Sequence, residues 1–223
     1  MNKFAGKNNS HNHPEKRKQI IPVVFLLDIP AIMRTNSLEF VQHIFYEFQN
    51  EISGNPIAKE YFQMEVIAFS EKAEILSPFS TVNNFEFDKT ISATENKSYL
   101  DSALPLLGRE LAGLNSFCMK NHCFQYQPSV VVMTDGNFYG QWQKAIDIYF
   151  RDCNSKFEQR FFCFELGKSA ASGVKELTSK FNGLTIPSGK YPESYIDLLF
   201  ETDMDDVSQK KSAEEYINLI DFR

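Results

Sequence analysis

The run Ile20–Leu27, IIPVVFLL, ends abruptly at Asp28. Eight apolar residues without a polar alternate cannot form a strand with one wet face. Such a run reads as a strand covered on both sides, as in a parallel sheet flanked by helices. It is also too short to cross a bilayer. A parallel neighbour needs a crossover, and the sequence supplies candidates on both sides of each later strand. Leu38, Val41, Phe45, Phe48 and Ile52 form a helical stripe behind an Asn36/Glu39 capping-box spacing, and Gly54-Asn55-Pro56 ends it. Phe62–Phe69 and Ala73–Leu76 read as strands. Their link, Ser70-Glu71-Lys72, is so short that they must pair antiparallel.

A second helix carries Leu100, Ala103, Leu104, Leu107, Leu111 and Leu114 on one face, with Pro105 predicting a kink or a later start. Ser129–Met133 is a fourth strand, stopped by Thr134-Asp135-Gly136. A helix from Gln141 to about Cys153 turns Trp142, Ile146 and Tyr149 inward. Phe161–Leu166, a short helix over Val174–Phe181, a strand at Leu184–Ile186 and a helix at Ser194–Phe200 complete the alternation. This order predicts an α/β, Rossmann-like, doubly wound sheet. It has six strands, mostly parallel, with one antiparallel edge strand and helices on both faces. Ligands of such sheets sit beyond the carboxyl ends of the strands, at the point where strand order reverses. Asp28 and Asp135 both stand at such ends.

Composition narrows the function classes. The 223 residues suit one domain with tails, and a 43% hydrophobic, 23% charged chain is ordinary globular material. Residues 1–19 hold five basic residues against Glu15 alone, so the rest of the chain carries about −10 of charge. An acidic body argues against a nucleic-acid partner. Residues 1–19 lack an apolar period and are expected to be a disordered tail. His11 and His13 there read as solvated side chains. The folded unit is expected over 20–202, with 203–223 forming a linker and a short amphipathic helix. That helix has its start at Ser212/Glu215 and an apolar face of Tyr216, Leu219 and Ile220. No secretory or lipidation pattern is visible, and the four cysteines read as reduced thiols, which gives a cytoplasmic expectation with no membrane partner. Cys118, His122 and Cys123 hint at zinc, but without a second Cys/His pair at finger spacing they read as structural.

Three segments together resemble a von Willebrand factor A (VWA) domain over about residues 20–202: VVFLLDIPAIM (23–33), SYLDSAL (98–104) and VVVMTDG (130–136). The resemblance implies a metal-ion-dependent adhesion site built from D-x-S-x-S, a Thr before a helix, and a later Asp. Asp28, Ser98 and Asp135 match positions that keep oxygen chemistry. Pro30 and Ile32 replace the two serines and bring no side-chain oxygen. A hard Mg²⁺ wants about six oxygens, so the expectation is a degenerate site that works with no cofactor. The alternative that the resemblance implies is an adhesion module dependent on Mg²⁺ or Mn²⁺ held by Asp28, Ser98 and Asp135. Within the family the chain looks most like short bacterial cytosolic VWA proteins linked to tellurite resistance and stress response. That resemblance implies a scaffold-type module binding a partner protein, such as a kinase or phosphatase. Pro30, Ile32, Phe138 and Tyr139 are the expected contact residues, loop aromatics being frequent hot spots.

Catalytic motifs are missing. No Walker A, G-x-G-x-x-G or G-x-S-x-G occurs, and Ser98 and Ser102 have no evident His partner. Asp28 and Thr134 match two positions of haloacid-dehalogenase-type phosphatases, but Pro30 stands where that family's second Asp belongs. An Asp-dependent phosphatase is therefore disfavoured, and a non-catalytic role is expected.

Overall fold

The computed structural model describes residues 18–85, 96–154, 159–167, 172–187, 196–197, 199–201 and 203–204. The strands are β1 (Gln19–Asp28), β2 (Phe62–Phe69), β3 (Ala73–Ser80), β4 (Phe124–Gln125), β5 (Ser129–Thr134), β6 (Arg160–Glu165) and β7 (Leu184–Ile186). The helices are α1 (Ile29–Thr35), α2 (Leu38–Gly54), α3 (Pro56–Tyr61), α4 (Leu100–Lys120), α5 (Trp142–Tyr149) and α6 (Ser172–Lys180). The sheet order is β3-β2-β1-β5-β6-β7, and two-residue β4 adds to β1 off this path. Only β2 and β3 run antiparallel; β1 pairs parallel with β2, β4 and β5.

The fully apolar run has its expected cause. Ile21, Val23, Phe25 and Leu27 face a core with α1, α2 and α3. Val24 and Leu26 face a second core with α4, α5 and α6. Both cores are dry, so neither set of alternating positions can be polar. Phenylalanine fills the first core edge-on: Phe25 meets Phe45 at 4.7 Å and Phe48 at 5.7 Å, and Phe48 meets Phe62 at 5.8 Å.

Several local expectations change. The capping box at Asn36/Glu39 does not form. Residues 29–35 are themselves a helix, started by Pro30 in its first turn and capped by the Asp28 side chain. Asn36 closes that helix in the left-handed region (φ 52°), and Ser37 precedes α2 instead. α4 begins at Leu100 and runs through an exposed Pro105. As the sixth residue of the helix, Pro105 costs it the one i→i−4 bond its N–H would have made. β3 runs on to Ser80 through Pro78, which an edge strand tolerates, with register shifts against β2. The strand β4 was not foreseen; two residues carry no pattern. The helix from Gln141 ends its α-helical part at Tyr149 and passes into a π-helical turn, Phe150–Asn154.

Asp203, expected to open a solvated linker, lies in the interior instead. Asp203 is fully buried and accepts a hydrogen bond from Ser129 Oγ at 2.7 Å and an ion pair from Arg160 Nη1 at 2.7 Å. Phe200 stacks on Phe62 at 5.7 Å. Asp203 is thus tied to the amino ends of β5 and β6. Residues 1–17 and 205–223, including the His11/His13 pair and the Ser212–Ile220 helix, lie outside the described residues. His43 sits on the outer side of α2, within 3.8 Å of Glu47.

One buried group stands out. Glu65, on the α4 face of β2, is 1% exposed, and neither carboxylate oxygen has a hydrogen-bond partner among the described residues. Burial raises its carboxyl to about 8, Glu110 adds repulsion, and Arg109 partly offsets both. The folded state therefore holds a proton there more tightly than the unfolded chain. Stability is retained at low pH and lost as pH rises from the ordinary glutamate value through about 8. Glu65→Gln is expected to add about 1–2 kcal/mol at pH 7.5, after allowance for partial screening, and almost nothing at pH 4. Urea unfolding of both proteins across that range checks it; a gain that does not grow with pH refutes the assignment. Arg160→Ala, which strips Asp203 of its cation, is expected to cost about 3 kcal/mol. Arg151→Ala, which breaks an exposed pair (72% and 53% side-chain exposure), should be near neutral in the same assay.

Candidate functional site

The chain leaves β1 towards β2 on one side and returns to β5 on the other, so strand order reverses beside β1. Leu27 lies opposite Met133, which puts Asp28 and Thr134 together at the carboxyl edge. Asp28 is fully buried. Its Oδ1 accepts from Ala31 N at 3.0 Å and from Ser98 Oγ at 2.5 Å; its Oδ2 accepts from Thr134 Oγ1 at 2.6 Å. Burial pushes its carboxyl up to about 6, against these three hydrogen bonds, and the charge of Asp135 pushes the same way as burial.

Ser98 is brought in by a single parallel bridge to Phe138, reinforced by Tyr139 N donating to Ser98 O at 2.8 Å. Thr134 Oγ1 also accepts from Gly136 N at 3.0 Å, and Asp135 Oδ1 accepts from Asn137 N at 3.0 Å. The turn needs Gly136 for its positive φ of 76°. It also needs Gly173 at the start of α6, where a Cβ would meet the Gly136 carbonyl oxygen at 2.2 Å.

Sequence reasoning missed the residue that completes this edge. Arg34, in the last turn of α1, places Nε 3.1 Å from Asp135 Oδ2 and Nη2 3.1 and 3.0 Å from Oδ1 and Oδ2. This is a two-pronged guanidinium–carboxylate pair. Nη2 also reaches Ser98 Oγ at 3.4 Å, and Nη1 donates to the Asn96 carbonyl at 2.8 Å. A signal was available: Arg34 is the single Lys or Arg between Lys18 and Lys59, only six residues after Asp28.

The donor set does not fit a hard divalent ion. Ile32 is fully buried in the first core, Pro30 is buried beside it, and neither offers oxygen. The Asp28 oxygens are taken by hydroxyl and amide donors, and both Asp135 oxygens by Arg34. Asp28, Ser98 and Asp135 are brought together as the sequence suggests, but around a guanidinium. Among the described residues no cluster of three His, Cys, Asp or Glu side chains could hold a metal ion, the Cys118–Cys123 segment included. Burial of Asp28 also leaves no path to a phosphorus atom, which the disfavoured phosphatase reading requires.

The expected contact residues separate. Pro30 and Ile32 are core, because α1 turns that face inward; the exposed apolar residue of the segment is Met33 (50%). Phe138 is half-buried and packs on Trp142 at 5.2 Å. Tyr139 is 46% exposed, beside Tyr99 at 6.1 Å, with the Lys97 ammonium 5.5 Å from its ring.

No protein-family model and no curated protein sequence matches the chain. Solved structures do. A VWA domain of SpRpn10 aligns over 80% of this chain and 95% of its own, with a TM-score of 0.52 and 12% identity. The fold is that of a VWA domain. A von Willebrand factor type A protein from Catenulispora acidiphila covers 83% of this chain and 42% of its own (TM-score 0.54, 11% identity). An aerotolerance-related membrane protein from Bacteroides fragilis covers 83% and 99% (TM-score 0.56, 13% identity). In the present VWA fold no helix among the described residues is long and apolar enough to cross a membrane.

Thr134→Val keeps the shape of its side chain but removes one donor to Asp28 and the acceptor for Gly136 N. It is expected to cost about 1–3 kcal/mol in denaturant unfolding. A neutral result would mean that these bonds do not hold the edge together.

Proposed function

We propose that this VWA-fold domain is a non-catalytic, metal-independent module that binds a partner protein through the carboxyl edge of its sheet. The observation that carries the reading is Tyr139. It is a large aromatic, 46% exposed, on a backbone pinned by the bond to Ser98 O and backed by the Tyr99 ring. An exposed aromatic on a rigid support loses little freedom on binding. Met33, exposed on α1, adds an adaptable apolar contact. Behind them the polar groups are already satisfied by one another, so no carboxylate, hydroxyl or thiol there is poised for attack. A kinase or phosphatase of a stress response, met in the cytoplasm, is the partner class that the resemblance to small bacterial VWA proteins favours. The module's place is then that of a scaffold.

Immobilised protein should capture its partner from the source lysate equally well with and without chelator. Tyr139→Ala is expected to weaken capture roughly tenfold or more. Tyr46→Ala, an exposed tyrosine on α2 (61%), should not. Capture abolished by chelator, or indifferent to Tyr139, would overturn the reading.

A further inference from the structure

We propose that Arg34 is the built-in cation of this edge, and that the space between Asp135, Ser98 and the Asn96 carbonyl is shaped for a planar guanidinium. The inference extends the metal-free part of the proposed function but has its own test.

The case begins with Asp135. Its side chain is only 7% exposed, so its charge needs a counter-ion close by. Arg34 provides one through two parallel N–H prongs, a geometry that matches a carboxylate and that a lysine ammonium cannot copy. The same group then donates to Ser98 Oγ and to the Asn96 carbonyl. One side chain therefore binds partners 62, 64 and 101 residues away in sequence. The network is directional. Arg34 donates to Ser98, Ser98 donates to Asp28, and Asp28 accepts from Thr134 on its other oxygen. Four of the five guanidinium N–H groups have acceptors. Three chain segments, the β1–α1 turn, residues 96–98 and the β5–α5 turn, are thus joined by a charge that belongs to the chain. It cannot dissociate from the chain.

A simple surface ion pair would look different. Such pairs contribute little and tolerate lysine. Here the arginine is one-third exposed, its carboxylate is buried, and every contact depends on the planar fork.

The test is chemical rescue read by thermal unfolding. Arg34→Ala should lower the melting temperature, and Arg34→Lys should recover little of the loss. Ethylguanidinium at tens of millimolar should raise the melting temperature of Arg34→Ala, but not that of wild type or of Arg34→Ala/Asp135→Asn. Mn²⁺ at millimolar concentration should raise none of them. The cycle of Arg34→Ala with Asp135→Asn should show coupling of roughly tenfold or more in the unfolding constant. If Arg34→Ala does not fold, Arg34→Gln, neutral but of similar length, replaces it in every arm. Full recovery by lysine, absence of rescue by ethylguanidinium, or stabilisation by Mn²⁺ would each overturn the inference. These outcomes are independent of partner capture: rescue with chelator-sensitive capture would sink the proposed function alone, and failed rescue with Tyr139-dependent, chelator-resistant capture would sink this inference alone.

Discussion

A buried carboxylate at the end of a doubly covered strand constrains everything around it. β1 is apolar on both faces and leaves Asp28 at its tip with no water to solvate it. Each hydrogen bond that stabilises the charge must come from the protein, and the donors come from three places: the first turn of α1, Ser98 before α4, and Thr134 at the end of β5. Those are the loops that strand reversal beside β1 brings together. The topology creates the meeting point, and the unsolvated carboxylate makes the meeting obligatory.

A second carboxylate beside the first would make the edge self-repelling; the charge of Asp135 already acts on Asp28 in the same direction as burial. Arg34 cancels that charge where it arises. Because Arg34 sits on α1, whose N-cap is Asp28 itself, the cation and the first carboxylate are fixed by one short helix. Pro30 and Ile32 follow from the same helix. They turn into the first core, so the positions that would otherwise supply hydroxyl oxygens anchor α1 to the sheet. The inward turn of Pro30 and Ile32 and the outward reach of Arg34 are thus two consequences of one short helix.

The fold was legible because its strands are extreme. Runs such as IIPVVFLL and SVVVM leave few alternatives, and the three-residue link at Ser70 permits only a hairpin. Asp28 and Asp135 were legible for the same reason, as polar residues placed where apolar strands stop; Ser98, preceded by a polar stretch, was implied only by the resemblance. Capping was less legible. Asn36 with Glu39 has the spacing of a helix start, yet Asn36 closes α1, because asparagine serves the left-handed position as readily as an N-cap. Pro30 and Ile32 were misread as rim residues because a seven-residue helix has too few turns to show which side faces in. Asp203 was misread as linker because its partners, Ser129 and Arg160, lie 74 and 43 residues away. Arg34 escaped for a related reason: its partners lie 62 or more residues off, and pairing at that range leaves no local pattern.

A dissociable ion gives such an edge two states, and its occupancy can follow the surroundings. A tethered guanidinium gives it one. On the proposed metal-free reading, α1 with Met33 and the segments with Lys97 and Tyr139 are held in a single arrangement whatever the divalent ion concentration. Binding at this surface would draw on preorganisation rather than on completion of a coordination sphere. That reading has a cost in specificity: without an ion to receive a ligand oxygen, discrimination would have to come from shape and from the placement of Tyr139, Met33 and Lys97.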